Sequence, residues 1–90
     1  MNHIQILEAA IDSAKKLFIT RNSTINDGKT TNGQRLVMAR KITCYGQIAK
    51  NAATILELEG ADHDTLRTEY IYPIVEDPQY TGFITLFGGF

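Results

Sequence analysis

Apolar residues recur at helical spacing at the start of the chain. From Asn2 to about Arg21 they are separated by steps of three and four residues, and they comprise Ile4, Leu7, Ile11, Ala14 and Phe18, with Ala10 and Leu17 beside them. This is the period of one face of an amphipathic helix. Acidic residues come early in the segment and basic residues late, as the helix macrodipole favours. The pattern predicts a first long helix.

A second helical pattern runs from about Gln34 to Glu59. Its apolar positions step by four and three residues and comprise Met38, Ile42, Tyr45, Ala49, Ala52 and Leu56. A second stripe, formed by Val37, Cys44, Ile48 and Ile55, runs alongside it. Together the stripes predict a wide buried face, in which Cys44 is an inert buried thiol. Gly46 lies in the middle, where glycine disfavours helix, so a break or a close contact is expected there.

The segment between the two helices, residues 22–33, is rich in Asn, Thr, Ser and Gly. This composition predicts a loop. Thr31 or Asn32, near the end of the loop, is suited to cap the start of the second helix. Gly60 is suited to end that helix, because glycine adopts the left-handed conformation found just beyond helix ends.

Asp62 or Asp64 is suited to begin a short third helix, which we expect Pro73 to stop because proline lacks a backbone N–H. The chain then closes on the segment from Gln79 to Phe90, QYTGFITLFGGF, which holds five large apolar residues after Gly82. No partner strand is evident, so we predict an extended apolar tail laid along the helices. Such a tail requires a cover, because its side chains would form an aggregation-prone patch in water.

Composition agrees with one folded domain. The chain has 90 residues, of which 43% are hydrophobic and 21% are charged, unlike a disordered chain. We assign residues 1–90 to a single, mainly α domain: two long amphipathic helices in an antiparallel hairpin, a short third helix and the extended apolar tail. One cysteine forms no internal disulfide. Neither a signal peptide nor a run of roughly 18 apolar residues is present, so we predict a cytoplasmic protein without a membrane partner.

Charge is unevenly distributed along the chain. Residues 21–50 carry six basic residues and one acidic residue, whereas residues 51–90 carry one basic residue and seven acidic residues. In the second helix this order opposes the macrodipole, with basic side chains near the start and Glu57 and Glu59 at the end. One interpretation is that the basic residues pair with Glu57, Glu59, Asp62 or Asp64, either within the hairpin or across an antiparallel dimer.

The alternative interpretation is a site for a small anionic ligand such as a nucleotide. Basic side chains and the free N–H groups at a helix start are suited to hold phosphate. The candidate residues of this site are Lys29, Thr30, Arg35, Arg40 and Lys41.

Signals for other chemistry are weak. The segment from Lys41 to Lys50, KITCYGQIAK, resembles the opening of the helix-turn-helix in alkyltransferase-like proteins, but residues 51–60 carry no Lys or Arg where a recognition helix needs them. We therefore predict no DNA binding. Asp62, His63 and Asp64 are adjacent and point in different directions, so no metal is expected, and no cofactor motif is present. With two histidines and no nucleophile beside a base, we predict no enzymatic activity.

We therefore expect a small non-enzymatic interaction protein of inhibitor or adaptor type, of the kind that viruses such as phages, and mobile elements, encode. It is expected to form a homo-oligomer, with a dimer favoured, and to dock on a partner protein. The candidate interface residues are the amphipathic tyrosines and the apolar residues of the tail. They are Tyr45, Tyr70, Tyr72, Tyr80, Phe83, Ile84, Leu86, Phe87 and Phe90. The sequence leaves open whether the tail packs on its own chain, on a second copy or in a groove of another protein.

Overall fold

The computed structural model describes residues 1–90, which are mainly helical and contain no strand. The α-helices are α1 (His3–Ser23), α2 (Asn32–Leu58), α3 (His63–Leu66), α4 (Tyr72–Val75) and α5 (Phe83–Phe87). A π-helical turn, Arg67–Ile71, joins α3 to α4, and a 3-10 turn, Pro78–Tyr80, precedes α5. The predicted mainly α fold, with two long helices packed against each other and shorter helices after them, is confirmed.

The predicted ends of α2 are confirmed. Thr31 Oγ1 accepts a hydrogen bond from the backbone N–H of Gln34, and Gln34 Oε1 accepts one from the backbone N–H of Thr31, which forms a capping box. At the other end Gly60 has a φ of +108°, and the N–H of Ala61 donates to Leu56 O at 2.9 Å. This is a Schellman arrangement, whose left-handed residue is usually glycine.

Small residues line the contact between the two long helices. The buried residues of α1 are Leu7, Ala10, Ile11, Ala14 and Phe18, and those of α2 are Ala39, Ile42, Gly46, Ala49, Ala52, Ala53 and Leu56. Most of the α2 set is alanine or glycine, which lets the helix axes approach closely. The first apolar stripe of each helix is thereby largely confirmed as core.

The predicted burial of the second stripe on α2 is wrong. Val37, Ile48 and Ile55 are 50%, 45% and 36% exposed, and Cys44 is an exposed free thiol. The reason is geometric. Val37 and Ile55 each lie nine residues from buried Gly46, which at about 3.6 residues per turn places them on the opposite side of the helix. The core covers one side of α2 only.

The third helical segment is longer than predicted. Asp62 caps it as expected, with Oδ2 accepting a hydrogen bond from the N–H of Thr65 at 2.9 Å. The chain then passes through the π turn into α4 and reaches Val75, so Pro73 does not stop the helix. The widened turn resets the hydrogen bonding, and Pro73 falls in the first turn of α4, where a missing N–H costs little.

The C-terminal residues pack on their own chain, and they differ from the predicted tail in one respect. Phe83–Phe87 is a short helix instead of an extended segment, bounded by Gly82 and Gly88 with φ of +86° and +94°. A helix bonds its own backbone groups, which an extended segment without a partner strand leaves unpaired. Phe83 meets Phe18 edge to face, with ring centroids 5.4 Å apart, and stacks on Phe87 at 4.9 Å.

Helix α5 touches the backbone of α2 at Gly46. A β-carbon at this position would lie 1.7 Å from Phe87 O and 2.7 Å from the carbonyl carbon of Phe87. One turn earlier, Thr43 Oγ1 donates to Leu86 O at 2.8 Å. The close contact expected at Gly46 is confirmed, and α2 continues through it without a break.

Candidate functional site

The loop before α2 is organised around the carboxylate of Asp27. Oδ1 accepts hydrogen bonds from the backbone N–H groups of Lys29 and Thr30, both at 2.9 Å, and Oδ2 accepts one from the Thr30 hydroxyl at 2.6 Å. These bonds, that of the hydroxyl first, lower the pKa of Asp27 from 3.8 to about 2. The backbone N–H groups of two of the predicted site residues, Lys29 and Thr30, are therefore bonded to a carboxylate of the chain itself.

Arg35, the central residue of the predicted anion site, is engaged by the same loop. Nη1 donates to the backbone oxygens of Thr24 and Thr30 at 3.0 and 2.9 Å, and Nη2 donates to Asn32 Oδ1 at 2.6 Å. Its guanidinium thus braces the loop against the first turn of α2. Arg40 and Lys41 are exposed further along α2. Of the five predicted residues, the structure joins Thr30 and Arg35 directly, through the hydrogen bond from Nη1.

The tail residues predicted to form an interface belong largely to the core of the chain itself. Phe83 and Phe87 are 0% and 3% exposed, which leaves them no surface for a partner. Ile84, Leu86 and Phe90 are half-buried and pack against the same core. The tail is covered by its own hairpin, and the interface prediction now depends on other residues.

Three of the four tyrosines, Tyr70, Tyr72 and Tyr80, lie after α3, in the π turn, in α4 and in the 3-10 turn. Tyr80 packs in the aromatic cluster, and the Lys15 ammonium lies 5.0 Å from its ring centroid. Tyr72 is exposed, with the Arg67 guanidinium 5.5 Å from its ring centroid. Tyr70 is half-buried, and burial raises its pKa. These side chains are spread over the segment and form no single patch.

An apolar stripe remains exposed along the side of α2 that faces away from the core. Its members recur at steps of four and three residues and comprise Val37, Lys41, Cys44, Ile48, Asn51 and Ile55, which we call the outer stripe. Four of the six positions are apolar or a thiol. Steps of three and four are the spacing of a seam between two packed helices.

A shallow groove adjoins the outer stripe at Ile48. It lies between α1 and α2 and is lined by Met1, Ile6, Ala9, Ala10, Ser13, Tyr45 and Ile48. Tyr45, the fourth predicted interface tyrosine, is half-buried here. Because Ile48 belongs to both features, the groove extends the apolar surface of the outer stripe toward α1.

The exposed basic residues of α2 have no acidic partner within the chain. The ion pairs are Lys16–Asp12, at 3.0 Å, and His63–Glu57. Arg40 and Lys41 take part in neither. Pairing of these residues within the hairpin, one of the two arrangements inferred from the sequence, is therefore absent, and pairing across a dimer stays a prediction.

Other kinds of site have little support in the structure. No group of three or more His, Cys, Asp or Glu side chains is arranged to hold a metal ion. None of the helices combines the length and the apolar character that crossing a bilayer requires. The pKa of Asp62 is lowered by its hydrogen bonds from Thr65, beginning with the backbone N–H, which is explained by its capping role.

No family model matches the chain, and no curated protein or solved structure gives a significant match. The outer stripe was visible in the sequence but was assigned to the core. The signal that separates the two stripes is polarity: the outer stripe includes Lys41 and Asn51, whereas the residues of α2 buried in the core are all apolar.

Proposed function

We propose that the chain is a non-enzymatic interaction protein that associates with a second copy of itself through the outer stripe of α2. The observation that supports this proposal is an exposed apolar stripe with helix-seam spacing on the longest helix. A stripe of this spacing fits another helix. A second copy of α2 supplies a helix with the same apolar positions, and a self-complementary surface of this kind is what a two-fold dimer uses.

Burial of the outer stripe would contribute favourably to association. Each apolar side chain that passes from half-exposed to buried stabilises the assembly by about 25 cal/mol per Å² of apolar surface removed from water. Val37, Ile48 and Ile55 contribute from both copies, and the groove beside Ile48 adds further apolar surface. The anionic-ligand alternative has less support, because Asp27 already bonds the N–H donors of Lys29 and Thr30.

The proposal is tested by light scattering coupled to size exclusion, over the micromolar concentration range. We expect the unsubstituted chain to have the mass of a dimer and Ile48→Glu to have the mass of a monomer, because a desolvated carboxylate in the seam is costly. Val75→Glu is the matched control: Val75 is 60% exposed and lies on α4, away from the outer stripe. It should leave the dimer intact.

A monomeric unsubstituted chain at all concentrations would refute the proposal, as would a dimer that Ile48→Glu leaves unchanged. Both substituted side chains are exposed, so far-UV circular dichroism should show unchanged helix content. That the assembled protein acts as an inhibitor or adaptor by docking on another protein stays a prediction.

A further inference from the structure

We infer that the two copies pair with their α2 helices antiparallel. The two-fold axis crosses the outer stripe at the level of Gly46 along α2, on the side of the helix opposite to Gly46 itself. This inference rests on the self-association proposed above and specifies its geometry. It is carried by the arrangement of the outer stripe and by the charges on α2, and the chain's single cysteine provides an internal control for its test.

The outer stripe is symmetric about position 46. Val37 and Ile55 lie nine residues before and after Gly46, and Cys44 and Ile48 lie two residues before and after it. In an antiparallel pair of identical helices, positions equally distant from the axis face each other. The pairing therefore places Val37 opposite Ile55 of the second copy, and Cys44 opposite Ile48 of the second copy.

The polar members of the stripe obey the same symmetry. Lys41 and Asn51 lie five residues before and after Gly46. An antiparallel pair therefore sets Lys41 opposite an amide whose oxygen accepts a hydrogen bond from an ammonium group. Each pair of facing positions is therefore either apolar on both sides or polar on both sides. There are two apolar pairs and one polar pair on each side of the axis.

A parallel pair would set Lys41 opposite Lys41 of the second copy, with Arg40 of both copies nearby. Facing like charges disfavour an interface, and surfaces that associate place opposite charges together. Antiparallel pairing instead separates the two Lys41 residues by ten positions along the axis, or about 15 Å.

Disulfide trapping tests the orientation. In a Cys44→Ser background we would prepare two chains, one with Val37→Cys and the other with Ile55→Cys, and oxidise each alone and the two mixed after exchange of subunits. We expect a covalent dimer from the mixture only. The two positions are eighteen residues apart in one helix, or about 27 Å, so no disulfide forms within a chain.

The unsubstituted chain is an internal control. Antiparallel pairing about Gly46 offsets the two Cys44 residues by four residues, or roughly 6 Å along the axis. Together with the spacing between the helices, this offset places the two thiols too far apart for a disulfide. The unsubstituted chain should therefore remain uncrosslinked. Parallel pairing would instead set the two Cys44 thiols opposite each other.

Crosslinking of Val37→Cys alone or of the unsubstituted chain would overturn the antiparallel arrangement, and so would a dimer by mass whose mixed variants fail to crosslink. In these outcomes self-association itself stands. A monomer by light scattering would refute both, so the two failures are distinguishable.

Discussion

Replacing Gly46 by alanine is expected to destabilise the fold, although alanine is the better helix former. In an exposed helix interior this change stabilises by about 1 kcal/mol. At position 46 the added carbon would lie 1.7 Å from Phe87 O and 3.1 Å from Phe87 Cα. Real β-carbons essentially never lie closer than 3.0 Å to another atom, so the backbone of α5 has to retreat by more than 1 Å.

The retreat has two costs. The Thr43 Oγ1 to Leu86 O hydrogen bond, 2.8 Å long, is stretched, and an intramolecular hydrogen bond contributes about 1 kcal/mol. Displacing a packed backbone segment costs about 1–3 kcal/mol, as overpacking does elsewhere. Against the helix-propensity gain, the net destabilisation is about 2 kcal/mol, which lowers the Tm of a domain of this size by roughly 10 °C.

The assay is urea unfolding followed by far-UV circular dichroism, with Gly33→Ala as the matched control. Gly33 lies in the first turn of α2, and its nearest neighbour to an added β-carbon is Thr31 Oγ1 at an ordinary 3.8 Å. Gly33→Ala should therefore be neutral or stabilising. If Gly46→Ala stabilises as much as Gly33→Ala does, α5 is not seated on α2 as described, and the account of the C-terminal residues is refuted.

Two further predictions concern the core and the loop. Phe83→Ala should cost about 3–5 kcal/mol by urea unfolding, as expected for a buried aromatic, and Phe90→Ala, which removes a half-buried side chain, should cost clearly less; equal costs would contradict the central place of Phe83. Because the pKa of Asp27 is lowered to about 2 in the fold from its usual 3.8, the carboxylate stabilises above pH 3.8, and this contribution is lost as the pH falls toward 2. Between these values the unsubstituted chain should lose stability more steeply than Asp27→Asn, and parallel pH profiles would contradict the Asp27 bonds.

The long helices were predictable from the sequence because their signals are local. The spacing of Leu7, Ile11 and Phe18, the cap at Thr31 and the glycine at position 60 each act within a turn or two of the helix. The helical form of Phe83–Phe87 was not predictable in this way. Five residues are too few to form a stable helix alone, and their conformation depends on contacts with Phe18 and Gly46, which are distant in the sequence.

The exposure of the outer stripe was not predictable for a related reason. Periodicity identifies which residues share a face of α2, but it does not say which face meets the rest of the chain. Two apolar stripes are present on α2, and their spacing predicts burial of both. The short C-terminal segment covers only the side of α2 that carries Gly46, so the stripe with Val37 and Ile55 stays exposed.

The position of the C-terminal residues determines which side of α2 stays uncovered. A hairpin of two helices has two broad faces, and each requires a cover if it is apolar. Phe83 and Phe87 cover one face from within the chain, which removes the reason to expect an exchanged tail. The same use of the tail leaves the outer stripe without any segment to cover it, because the chain's remaining helices already lie on the other side of α2. The interface proposed on α2 therefore uses the side of the helix that the tail leaves uncovered, with Val37, Ile48 and Ile55 exposed there.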